Sequence, residues 1–119
     1  MNDALISGTI DFVSVGAPGL GTIWAKTRGN MDVRGVIGLN QMPLYLNTRN
    51  PNVQSIKDFT EKDKIALPAI KVAVQAIMLQ MAAAKEWGDA NYAKLDPLTV
   101  SMAHPDGLAA LLSGQREVT

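Results

Sequence analysis

One nine-residue pattern occurs twice, 106 residues apart: ALISGTIDF from Ala4 to Phe12 and ALLSGQREV from Ala110 to Val118. Both read Ala-Leu-apolar-Ser-Gly-x-x-acid-apolar. An apolar run, a glycine stop and a return to apolar residues describe the last turn of a helix followed by entry into a strand. Gly8 and Gly114 are the positions where the chain must turn left-handed, which glycine does at little steric cost. Two equivalent αβ corners imply two related lobes. The first copy opens the chain and the second closes it, so the expectation is a piece cut from something longer.

Between the corners, helical and extended patterns alternate. Residues 10–15 (IDFVSV) are rich in β-formers and read as a buried strand. Residues 20–28 read as a helix with Pro18 near its start and Gly29 just past its end. Residues 33–39 read as a strand with close backbone approach at Gly35 and Gly38, continued by an extended segment over 43–46. Asn47 to Asn52 form a polar turn. Ser55 caps a short helix over 56–59, and residues 65–67 form a short strand. Residues 70–87 lack Pro and Gly and are rich in Ala, Met, Leu, Gln and Lys, which predicts the longest helix. Val74, Ile77, Met78, Met81, Ala82 and Lys85 lie on one face of it, and Gly88 ends it. Residues 98–102 are a strand candidate, and His104-Pro105-Asp106 leads into a helix over 108–112. This order predicts an α/β protein with mainly parallel sheets flanked by helices.

Composition excludes several classes. Eleven basic and eleven acidic residues cancel, so nothing marks a nucleic-acid or anionic-lipid surface. The absence of cysteine removes disulfides and thiolate metal sites. Lys71, Gln75 and Gln80 interrupt the longest apolar stretches, so no membrane span is expected. The N-terminus lacks the pattern of a secretory leader; expressed as it stands, the chain is expected in the cytoplasm.

Three strand-to-helix turns offer ligand sites: Gly16-Ala17-Pro18-Gly19, Pro68-Ala69-Ile70-Lys71 and His104-Pro105-Asp106. Ligands of open α/β folds collect beyond the carboxyl ends of strands, where free N–H groups favour anions. The Gly16–Gly19–Gly21 spacing does not fit a dinucleotide loop. His104 stands without a His, Cys or carboxylate cluster, so no metal site is expected. Capping of helix N–H groups competes with ligand contact there. No serine sits in a nucleophile elbow, and no enzyme is expected. Trp87 reads as packing, Met78 and Met81 as core, and Lys71 as a solvated helix lysine or an anion contact.

The segments ALISGTIDFVSVGAPG, RGVIGLNQMPLYLNTRNPNVQSIKDFTEKDKIALPA and LTVSMAHPDGLAALLSGQREVT resemble substrate-binding proteins of ABC importers. The family is the nitrate/sulfonate/taurine type, related to thiamine-precursor-binding proteins. The resemblance covers nearly all of the 119 residues. It implies a partial type II periplasmic-binding-protein fold, with residues 1–42 from lobe I, 43–119 from lobe II and a crossover strand near 42–50. It implies capture of a small anionic or polar organic solute between the lobes, delivery to an ABC permease, a periplasmic location and no cofactor. Gly16, Ala17 and Pro18 would contact the solute from lobe I, and Gln41 and Tyr45 from the crossing strand. Pro68, Ala69, Lys71, His104 and Asp106 would do so from lobe II. The family's opening βαβ unit, leader and return path into lobe I have no counterpart in this sequence. An effector-binding regulatory domain of the same fold, or a truncated product without independent function, are the alternatives. An open strand edge and apolar face predict self-association.

Overall fold

A computed structural model describes residues 2–114. The protein is a small mixed α/β protein with, among the described residues, one two-stranded parallel sheet. The chain divides into two units, Met1–Met42 and Pro43–Thr119.

In the first unit, helix α1 (Asn2–Ile6) buries Leu5. Gly8 follows it at φ 73°, the left-handed region that its lack of a Cβ permits. Helix α2 (Ala17–Thr27) starts with Pro18 in its first turn, where the missing N–H costs no helical bond. It buries Ile23 and Thr27. The Thr27 hydroxyl donates to the Ile23 carbonyl at 2.8 Å and accepts the Val33 N–H at 3.1 Å, tying the chain after α2 to its last turn.

Two expected strands of this unit do not form. Residues 10–15 and 33–39 have no ladder partner, and Phe12 and Val36 are each 81% exposed. β-propensity describes residues that fit a pleated, half-buried surface, and among the described residues nothing pairs with these segments. Among the described residues the sheet is a single pair of parallel strands, both in the second unit. The extended segment expected over 43–46 is likewise outside any ladder, as is the expected crossing strand near 42–50. The strand expected in the second corner lies outside the described residues.

The second unit is built around strands β1 (Ile65–Leu67) and β2 (Thr99–Ser101), paired in parallel with Leu67 opposite Ser101. Parallel strands need a crossover, and helix α3 (Val74–Trp87) is part of it. Two reciprocal caps lead into β1. Ser55 and Thr60 each donate a backbone N–H, at 2.7 Å, and a hydroxyl to the aspartate three residues on, Asp58 and Asp63. The first pair caps a 3-10 turn over Ile56–Asp58.

Ile65 and Leu67 point to one face of the sheet, where they form the core with Ala76, Leu79 and Leu95; Trp87 packs against its margin. Ala66 points to the opposite face, towards helix α4 (His104–Ser113). A Cβ placed on Gly107 of α4 would lie 3.6 Å from the Ala66 Cβ, an ordinary contact. The two helices thus cover opposite faces of β1. Gly114 closes α4 at φ 77°, matching Gly8. Ser113 donates its hydroxyl to the Ala110 carbonyl at 3.0 Å, as Ser7 does to Ala4 at 3.1 Å.

Helix α3 begins four residues later than its composition suggests. Lys71 takes φ 66°, a left-handed conformation that stops helix propagation there. Its buried residues are Ala76, Leu79 and Ala83, whereas Met78 and Met81 are exposed. The expected core face is therefore rotated. The helix is apolar nearly all round, so its pattern does not single out a face.

Candidate functional site

Covering β1 on both faces leaves its outer edge open. β2 occupies one edge. Along the other runs a groove of about 540 Å³. Ile65, Ala66, Leu67 and Pro68 form its floor, with Gln75, Met78, Leu79 and Ala82 of α3 along one wall. Met102, Ala103 and the α4 residues His104, Gly107, Leu108 and Leu111 form the other wall. Leu44, Tyr45, Leu46, Asn47 and Ile56 complete the lining, to which the three β2 residues contribute nothing.

The spacing of the helical residues explains their convergence. Gln75, Met78, Leu79 and Ala82 recur at three- and four-residue intervals, and so do His104, Gly107, Leu108 and Leu111, so each set shares one helix face. Gly107 of α4 faces Ala66, with room for a Cβ at an ordinary 3.6 Å. Arg49 anchors the far end of α4: its Nη1 donates to the carbonyls of Leu111 at 3.0 Å and Leu112 at 3.3 Å. These carbonyls belong to the last turn of the helix, where a side-chain donor acts as a cap.

The lining contains no Asp, Glu, Lys or Arg. Its polar side chains are Tyr45, Asn47, Gln75 and His104, set among apolar ones. Such a wall accommodates an apolar body and orients it through a few hydrogen bonds. The perturbed acids, Asp58 and Asp63, are not part of the lining. The Ser55 and Gln54 backbone N–H groups hold the Asp58 carboxyl below its usual range. The Thr60 backbone N–H does the same for Asp63, partly opposed by burial. Lys57 is raised by its hydrogen bond and ion pair with Glu86, which links the 3-10 turn to α3.

Of the residues singled out in the sequence, Tyr45, Pro68 and His104 line this groove. Ala69 and Lys71 follow Pro68 but are not part of the lining, and Asp106 is exposed in the first turn of α4. Gly16 precedes α2, with Ala17 and Pro18 in its first turn, and Gln41 is exposed; all four belong to the first unit. Sequence reasoning missed Met78, Met102, Leu108 and Leu111. The signal available was the i, i+3, i+4, i+7 recurrence in both helices, which reads equally well as core.

Among the described residues, no helix is long and apolar enough to cross a membrane. No family model, curated protein or solved structure matches the chain.

Proposed function

We propose that the chain binds a small organic solute non-covalently in the groove beside β1, as the solute-capturing component of an ABC importer. The carrying observation is the groove itself: about 540 Å³ of concave, mainly apolar space beside a parallel strand and the start of α4. That volume is typical of small-molecule sites, roughly 300–1,000 Å³. Its position, reaching Pro68 beyond the carboxyl end of β1, is where ligands of open α/β sheets collect. The importer role rests on the sequence resemblance described above. The uncharged lining favours a solute with an apolar body, its polar end reaching Tyr45, Asn47, Gln75 or His104. No chemistry on the solute forms part of this reading.

A thermal-shift screen of the chain against taurine, alkyl sulfonates, nitrate, aromatic acids and pyrimidines tests the proposal. One class is expected to raise the melting temperature in a concentration-dependent way. Leu108→Glu, which places a charge on the groove wall at a position 57% exposed, is expected to remove the shift without unfolding the chain. Absence of a shift from every class, or a shift unaffected by Leu108→Glu, overturns it.

A further inference from the structure

We propose that the open edge of β1 also accepts a strand from a second copy of this chain, supplied by residues 35–42. The hydrogen-bonding direction of β1 is set by its register. Leu67 lies opposite Ser101, and its carbonyl accepts the Met102 N–H at 2.8 Å. In a parallel ladder alternate residues direct both backbone groups to the same neighbour. Ile65 and Leu67 therefore face β2, and the N–H and C=O of Ala66 face the groove. Among the described residues neither group has a partner, and a donor and acceptor so placed on an apolar floor are a template for an added strand.

The donor is identified by its chemistry. Residues 35–42 (GVIGLNQM) contain no charge and no proline. Among the described residues they belong to no helix and no ladder, with Val36 81%, Ile37 77% and Leu39 73% exposed. Val36, Ile37 and Leu39 give this uncharged segment three exposed apolar side chains to lay into an apolar groove. The groove lining is uncharged too, so joining the two desolvates no ionised side chain.

Surface area points the same way. The chain exposes 8796 Å². Two separate globular units of the sizes found here would together expose only about 7,500 Å², however they are arranged. The excess, roughly 1,300 Å², exceeds the ~800 Å² per partner that a standard stable interface covers. A second copy seated on these surfaces is sufficient to cover it.

Strand and solute would compete for one groove, so the two proposals are tested separately. Sedimentation without added solute, from about 1 to 100 μM, is expected to show mass rising with concentration. Val36→Lys with Leu39→Lys changes two exposed side chains and is expected to weaken association at least tenfold. The chain has no cysteine, so Leu39→Cys and Leu108→Cys chains, mixed and oxidised, are expected to give a disulfide between the two different copies. A monomer at every concentration overturns the proposal. So does association that the double lysine variant leaves intact, or failure of the two mixed cysteine variants to form a disulfide with each other. The solute screen, repeated on the double lysine variant, reports on the solute alone.

Discussion

The guanidinium of Arg49 occupies the space that a side chain at position 114 would need. Its Nη1 lies 2.6 Å from where a Cβ on Gly114 would stand, while donating to Leu111 and Leu112. One arginine thus binds the last carbonyls of α4 and restricts the residue that ends the helix. Gly114→Ala must tolerate φ 77°, at about 1 kcal/mol, and also displace Arg49. Arg49→Ala loses the cap, at roughly 0.5–1.5 kcal/mol. Because the two share one contact, the double variant is expected to cost less than the sum of the singles. Thermal melts of the four chains give the answer; strict additivity refutes the coupling.

Asp63 makes the second unit sensitive to acid. Its carboxyl is held below the usual range chiefly by the Thr60 N–H at 2.7 Å. A group with a depressed native pKa stabilises the fold above its unfolded value, about 3.9, and the contribution disappears as pH falls through the native value. Asp63→Ala is expected to cost about 1 kcal/mol at neutral pH, as loss of a cap does. It should flatten the decline in melting temperature below about pH 4. An unchanged acid limb would refute the assignment.

Gly107→Ala is expected to stabilise the second unit. The added Cβ meets Ala66 at 3.6 Å and the Met102 Sδ at 4.0 Å, both ordinary contacts. The substitution removes the entropic penalty of glycine inside a helix, roughly 0.5–1 kcal/mol. A rise of about 4–8 °C per kcal/mol is expected for a unit of this size; a fall shows that α4 is already packed at its limit.

Ile65 is completely buried beside Leu67, Ala76 and Leu79. Ile65→Ala should cost about 2–5 kcal/mol, enough to threaten a unit whose sheet has two short strands. Chemical denaturation followed by circular dichroism should show a lower midpoint. An unaltered midpoint removes β1 from the stabilising core.

Local backbone chemistry was legible without tertiary information. Gly8 and Gly114 turn left-handed because an apolar helical run ending in Ser-Gly leaves carbonyls that such a turn satisfies. Ser55 caps its turn because a short hydroxyl reaches the following backbone N–H. Pro105 sits in the first turn of a helix for an equally local reason. Residues 10–15 and 33–39 carry the same strand signals as 65–67, yet only the last form a ladder.

The sequence by itself determined where helices stop and where turns close, since those depend on Cβ clashes and on bonds within a few residues. Tertiary structure decided which apolar segments pair, which face of α3 is buried, and that Tyr45, Pro68, Met78, His104 and Leu108 surround one groove. Strand pairing and burial need a partner distant in sequence, and an apolar residue carries the same hydrophobicity whether or not that partner lies beside it.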